Sequence, residues 1–261
     1  MKYTNREDFQ QLCRNNVRYN RTRDKKFTRC HDAFWLRMYP KDRAISDNIS
    51  AHGYWEPWDA MAITNTIYDK RTWTFIDVGA NIGYYSMIGA EAGLEVHAFE
   101  CNPNMIEYIS DSAHLNRFSV KIHEVALGDE DGTATLSVNY ENLGGASLIT
   151  QPVVNETFEV EVTTLDKAMS DLNKDFVIKV DVEGYERNVW WGSKDLRNRL
   201  NNIWFMEWFN TRWTREEQAE FLREVESTHK LNTTTMSGFI KPATVDQILD
   251  MPFATLVFIK R

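Results

Sequence analysis

Cysteine and proline are scarce in this chain and long apolar runs are missing, and each shortage excludes something. Only three cysteines occur among 261 residues (Cys13, Cys30, Cys101), an odd number at no metal-ligand spacing, so neither a disulfide framework nor a zinc site is expected. The same scarcity points to a reducing, cytoplasmic setting. No stretch approaches the roughly 18 apolar residues of a bilayer-spanning helix, and residues 1–20 hold no apolar signal core. Internal repeats and low-complexity tracts are also absent, which excludes solenoids and disordered tails.

What is present is ordinary globular composition, 43% hydrophobic and 26% charged, in a length suited to one large α/β domain or a domain with an added arm. The net charge of −8 argues against wrapping nucleic acid, but the charge is uneven. Arg14 to Arg43 carries ten Lys/Arg against three Asp/Glu, a local +7 that leaves −15 on the remainder. That stretch reads either as a solvated helical face or as an arm that approaches an acidic substrate or partner.

The chain divides into residues 1–70, a basic and mostly helical N-terminal extension with a lid, and residues 71–261, where short apolar strands alternate with amphipathic stretches. Pro40 ends one segment of the first zone, and Gly53 and Pro57 interrupt the next. In the second zone, Thr72 to Val78 is a β-branched and aromatic strand that runs into Gly79-Ala80-Asn81-Ile82-Gly83. A helix from about Ile82 to Ala92 stops at Gly93, and Glu95 to Glu100 is the second strand. Pro103 opens a helix to Asn116, followed by a third strand from Val120 to Leu127. Alternating residues between Thr133 and Val162 predict an antiparallel insertion at the sheet edge. Phe176 to Val182 is the fourth strand, Tyr185 to Leu200 a helix and Ile203 to Trp208 the fifth strand. Thr214 begins a capping-box helix, and Ala254 to Ile259 closes the chain as a strand. The expectation is a doubly wound α/β sheet with a helical N-terminal extension and an antiparallel edge insertion.

The chemistry concentrates at Asp77-x-Gly79-x-x-x-Gly83, a strand-to-helix junction where Gly79 would let a ligand approach the backbone and Gly83 would allow close helix packing. Glu100, at the end of the second strand, is placed to accept hydrogen bonds from both hydroxyls of a ribose, while the helix start would offer N–H groups. The dinucleotide fingerprint is not met, because Asn81 takes the middle glycine's place and the last glycine arrives early. A carboxylate before the turn gives a pyrophosphate binder nothing, whereas it pairs with a sulfonium and a free amino group, so the expected ligand is S-adenosylmethionine.

At this point the sequence resembles the FkbM-type methyltransferases over most of the stretch from Gly53 to Arg261. The likeness is carried by Gly53-Tyr54-Trp55-Glu56-Pro57, by Phe75 to Ser86, by Ala126-Leu127-Gly128-Asp129, by Gly145-Ala146-Ser147 and by Ile178 to Glu186. The resemblance implies a class I, Rossmann-like methyltransferase fold and methyl transfer to oxygen, often on a sugar or another small hydroxylated molecule. The basic region before Gly53 lies outside it.

The expected cofactor residues are Glu56, Asp77, Gly79, Ala80, Asn81, Gly83, Glu100, Cys101, Asn102 and Ala126. Asp181, where the first and fourth strands diverge, is expected near the transferred methyl as base or metal ligand, or else in a turn. Glu207, which interrupts an apolar strand, and His52, beside the lid, are the other candidate catalytic groups. Asp181, Glu183 and Glu207 together offer oxygens to Mg²⁺ or Mn²⁺, although Glu183 has an alternative in binding backbone N–H groups before Gly184, and Glu186 in favouring its helix start. Trp208 and Trp213 either pack in the core or stack on a sugar or base. Two readings compete with a small-molecule or glycan O-methyltransferase. One is RNA methylation through the basic arm, although a lysine near the end of the fifth strand and the Asn-Pro-Pro-Tyr motif are both wanting; the other is a module that binds the cofactor without catalysis.

Overall fold

Phe75, Ile76 and Val78 load both faces of one short strand with apolar side chains, a pattern that is stable only where both faces are covered. In the computed structural model, which describes residues 3–19, 26–140, 143–149, 153–211 and 213–261, that strand lies well inside the main sheet. The chain runs α1 (Arg6–Tyr19), β1 (Phe27–Cys30), β2 (Phe34–Arg37), α2 (Ile45–His52), α3 (Pro57–Ile67), β3 (Thr74–Val78), α4 (Tyr84–Glu91), β4 (Glu95–Phe99), α5 (Pro103–Asn116) and β5 (Val120–His123). It continues through β6 (Ala126–Gly128), β7 (Gly132–Val138), β8 (Glu156–Thr164), α6 (Leu165–Ala168), β9 (Phe176–Val180), α7 (Glu186–Trp191), α8 (Lys194–Arg199) and β10 (Asn202–Phe209). The last elements are α9 (Arg215–Thr228), β11 (His229–Thr234), β12 (Ile240–Pro242), α10 (Val245–Leu249) and β13 (Phe253–Lys260).

Eight strands form the main sheet in the order β12-β11-β13-β10-β9-β3-β4-β5. The five from β10 to β5 pair in parallel, and β13 enters antiparallel between β10 and β11. Strand order reverses between β3 and β9, so a crevice opens beyond their carboxyl ends, where ligands of open α/β sheets bind. Period-2 alternation sorts the side chains into two cores. Ile76, Val78, Ile178, Val180, Trp204 and Met206 face one; Phe75, Val177 and Phe205 face the other, under α3 and α4. Asp77, Lys179 and Glu207 fall in the second set by the same alternation, a polar row set into an apolar face.

Three sequence expectations are corrected here. The zone before Pro40 contains a β-hairpin, β1–β2, with His31 and Asp32 at φ 53° and 58° in its tight turn; paired positive-φ residues suit the twist of a hairpin, which a helical reading overlooks. The third strand splits, because the Glu100 N–H caps His123 O at 3.0 Å and the chain leaves the main sheet, so that Ala126–Gly128 joins β8 in a separate three-stranded sheet, order β6-β8-β7. The helix expected over Tyr185 to Leu200 is two, interrupted where the Ser193 hydroxyl donates to the Trp190 carbonyl at 2.6 Å.

Asn116 of α5 fastens the hairpin by accepting from Trp35 N–H at 2.8 Å and donating to Trp35 O at 2.6 Å. Phe9, Cys13, Cys30 and Phe34 of the N-terminal zone share one core with Phe75, Ile88 and Val96. Of the basic stretch, Arg37 pairs with Asp111 at 2.6 Å and Glu107 at 3.0 Å, Arg43 reaches Asp47 at 3.5 Å, and Lys41 lies over the Tyr140 ring at 5.2 Å. Arg21, Arg23 and Lys25, with the side chain of Arg18, lie outside the described residues.

Candidate active site

The turn after β3 is held by its own N–H groups. Gly79 and Ala80 donate to Phe99 O at 3.0 and 3.1 Å, Asn81 to Glu100 Oε2 at 2.6 Å, Ile82 to the Asn81 side chain at 2.8 Å, and Gly83 to Ala80 O at 2.8 Å. The expectation of N–H groups left for a ligand is therefore corrected: all five have acceptors in the protein, and nothing here cradles a phosphate. Gly79 is required for a different reason than expected. Its φ is +77°, and a Cβ there would stand 1.9 Å from the Asp181 carbonyl oxygen, so the bare Cα serves the β3–β9 junction. Gly83, at φ +88°, abuts Ile109 of α5, as the packing reading requires.

Beside this turn lies an open cleft with mostly apolar walls and a few polar groups, the composition of a small-ligand site. Gly79, Asn81, Glu100, Cys101 and Asn102 line one side; Val125, Ala126, Leu127, Leu136 and Leu148 line another; Asp181 and Tyr185 complete it. Glu100 sits in it with each oxygen accepting one backbone N–H, from Asn81 and from Asn102 at 2.7 Å. Burial pushes its carboxyl up to about 7, against the pull of those amides. Asn102 Nδ2 is buried without a hydrogen-bond partner among the described residues, a donor that awaits an acceptor. Apolar walls, a carboxylate with lone pairs to spare and an orphaned amide fit a nucleoside, and hence S-adenosylmethionine.

A second, smaller pocket opens on the other side of Asp181. Glu56, Asp59 and Ile63 enter it from α3 and its cap, Lys179 from β9, Phe205 and Glu207 from β10 and Thr255 from β13. Asp181 is the residue that borders both cavities. Lys179 Nζ lies 2.7 Å from Asp181 Oδ2 and 4.5 Å from the centre of the Tyr85 ring. Burial alone would lower its pKa, but Asp181, Glu56 and Asp77 reverse that and hold the ammonium above the usual lysine range. Glu56 accepts from Tyr85 Oη at 2.8 Å, and Asp59 from the Thr255 hydroxyl at 2.6 Å. Burial raises both carboxyls, and Asp59 raises Glu56 further. Glu56 caps α3 at φ 37°, a costly conformation for a residue other than glycine.

The expected residues are thus distributed between two cavities. Asn81, Glu100, Cys101, Asn102 and Ala126 line the cleft with Gly79, while Glu56 and Glu207 line the second cavity. Asp77 lines neither: it is buried, Ser86 donates to its Oδ2 at 2.6 Å, and in the strand register it stands opposite Lys179. Its charge therefore faces a lysine of the next strand, and its Oδ1 is buried without a hydrogen-bond partner among the described residues. Ala80 and Gly83 belong to the turn's framework. His52 stacks on Tyr54, 5.6 Å between ring centres, and lines neither cavity. The backbone N–H groups near Gly184 are bound by Glu186, from Gly184 at 2.9 Å and Val182 at 3.3 Å, while the Glu183 carbonyl receives the Ser147 hydroxyl at 2.8 Å. Trp208 is fully buried in the core, and Trp213 carries the Arg187 guanidinium 4.3 Å from its ring centre. Asp181, Glu183 and Glu207 each bring an oxygen within 4.8 Å of the others. Three such oxygens are half of what Mg²⁺ takes, and Lys179 already supplies positive charge to Asp181.

Lys179 and Asp59 went unassigned from sequence. Their signal was present: each is the one charged residue of its element, Phe176–Val180 and Pro57–Ile67. A buried charge inside an apolar element needs a partner or a function.

A family model described as the methyltransferase FkbM domain matches residues 77–235. Comparison with curated proteins finds no match. Among solved structures, the chain is similar to a TehB-like SAM-dependent methyltransferase from Corynebacterium glutamicum, at 17% identity and TM-score 0.45 over 82% of this chain and 94% of that one. It is similar to TehB from Haemophilus influenzae, at 12% identity and TM-score 0.45 over 85% and 67% of the two chains. A third likeness is to the Pyrococcus abyssi tRNA (uracil-54, C5)-methyltransferase in complex with S-adenosyl-L-homocysteine, at 12% identity and TM-score 0.46 over 90% of this chain but 44% of that one, so the present chain spans less than half of it. No helix among the described residues is long and apolar enough to cross a membrane. Because the family model covers more than half of the chain, the chain belongs to the FkbM family of S-adenosylmethionine-dependent methyltransferases.

Proposed function

We propose that the chain methylates a hydroxyl of a small, hydroxyl-rich acceptor, a sugar or glycan unit, held in the cavity of Glu56, Asp59, Lys179 and Glu207. The observation that carries this reading is the position of Asp181 between that cavity and the cofactor cleft. S-adenosylmethionine supplies an electrophilic methyl: the acceptor oxygen bonds to it as the carbon–sulfur bond breaks, and the bonding pair stays on sulfur as a neutral thioether. The protein's part is to orient the acceptor and take its proton. Lys179 fixes Asp181 through Oδ2, which leaves Oδ1 for the acceptor hydroxyl. As the oxygen gives its lone pair to carbon, its proton becomes strongly acidic, so a positioned carboxylate suffices to take it. Carboxylates suit a polyol because each oxygen accepts hydroxyl hydrogens. Glu100 and Asn102 hold the nucleoside, and α3, with Glu56 at its cap, acts as the lid of the acceptor side. No step is assigned to a divalent ion, since Lys179 already provides the cation beside Asp181.

Asp181→Asn tests this directly. Cofactor affinity by calorimetry is expected within a few-fold of the parent, with labelled-methyl transfer lost; unchanged turnover removes Asp181 from the mechanism. The RNA reading gains no support from Arg29, Arg37 and Arg43 of the basic stretch, each of which faces a local carboxylate.

A further inference from the structure

The acceptor cavity sets four carboxyl groups against one cation, more acid than recognition of hydroxyls alone accounts for. Among the described residues, Lys179 is the one cationic side chain lining it, against Glu56, Asp59, Asp181 and Glu207, and its ammonium is committed to Asp181 at 2.7 Å. Asp59 is 3% exposed. One of its oxygens receives the Thr255 hydroxyl; Thr234 and Trp58 also lie close enough to pull its pKa down, but Oδ1 is buried and makes no hydrogen bond of normal geometry among the described residues. We propose that this cavity recognises a protonated amine on the acceptor, so that the substrate class is an amino sugar or another amino alcohol, with Asp59 as the residue that receives the ammonium.

This inference rests on the reading of the cavity as the acceptor site and narrows it. A neutral hydroxyl can satisfy the orphaned oxygen's hydrogen bond but leaves the buried charge uncompensated, whereas an ammonium supplies both a donor and a countercharge. The upward pull of burial on Glu56 and Asp59 agrees, since an entering cation relieves it. The amine would sit on the α3 side of the cavity, and Asp181 on the cleft side would meet the hydroxyl. Recognition and transfer are thereby separated along one small molecule.

The test uses the full chain loaded with S-adenosylhomocysteine and two matched sets of probes: glucosamine against N-acetylglucosamine and glucose, and ethanolamine against ethylene glycol. Calorimetry is expected to show each aminated probe binding at least about tenfold more tightly than its neutral match, about 1.4 kcal/mol. Asp59→Asn is expected to narrow that ratio to under about threefold, and the parent ratio stands as a measurement whether or not the variant folds. Equal binding within each set, or no binding of either aminated probe, overturns the proposal. Labelled-methyl transfer separates the two readings. Transfer to glucose with no advantage for glucosamine overturns the cation pocket and leaves O-methylation standing; an amine preference in binding with no transfer to oxygen overturns O-methylation and leaves the pocket; and methyl found on nitrogen overturns both.

Discussion

Replacing Lys179 by methionine probes the centre at its most strained point. The ammonium belongs to a residue 7% exposed, 2.7 Å from Asp181, and it also holds down the pKa of Asp77 and Glu56. At an effective dielectric of about 20 the contact with Asp181 is worth roughly 6 kcal/mol before desolvation, and desolvation of the ammonium cancels much of that. The substitution does not return the desolvation energy of the carboxylates, which stay buried without their cation, so a loss of about 3–5 kcal/mol is expected at pH 8. Methionine fills a similar volume, which keeps cavity formation out of the difference. The loss should shrink toward pH 5. Without the lysine, the folded-state pKa of each buried acid lies still further above its unfolded value; the folded form then holds more protons than the unfolded chain, and stability falls as pH rises through that window. Urea unfolding of parent and Lys179→Met at pH 5 and pH 8 measures this. A double-mutant cycle with Asp181→Asn should give a coupling above about 1.5 kcal/mol. A loss below about 1 kcal/mol at pH 8, or one indifferent to pH, would refute the caged-lysine account.

Gly79→Ala combines a left-handed φ with a Cβ 1.9 Å from the Asp181 carbonyl oxygen, so a stability loss above about 2 kcal/mol and a displaced Asp181 are expected. Thermal melts and turnover check it; a variant as stable and as active as the parent contradicts the close approach. Glu100, raised from 4.5 to about 7, keeps a proton in the folded state that the unfolded chain has lost, so cofactor-free stability should decline from about pH 4.5 to 7 by roughly 3 kcal/mol. Glu100→Gln should flatten that slope in pH-dependent melts. It should also weaken cofactor binding by about 30-fold or more in calorimetry, through the lost charge-assisted bonds to the ribose; binding within twofold of the parent speaks against Glu100 as the nucleoside's anchor.

Much of the fold was legible because local pattern encodes it. The apolar strand before Gly79, the helix that follows it and the acidic end of β4 announce a βαβ unit, and β9 and β10 read as buried strands without any knowledge of their neighbours. The hairpin β1–β2 did not announce itself: four-residue strands carry too little periodicity, and its turn residues, His31 and Asp32, stand outside the usual glycine-bearing signal. The split of the third strand was hidden likewise, since an apolar run does not state which sheet it joins.

The candidate site divides along the same line. Sequence by itself determined the turn, Glu100 at its side and Asp181 at the end of β9, because each is set by position within one element. Only tertiary structure decided that Asp77 faces Lys179, that Glu186 binds the backbone near Gly184, and that Glu56, Asp59, Lys179, Glu207 and Thr255 enclose one cavity. Those residues come from α3, β9, β10 and β13, with Asp59 and Thr255 separated by 196 positions. Periodicity tells which face of an element a side chain occupies; which faces then meet, and which charges are forced together, follows from strand order and packing, and no local stretch of chain contains that information.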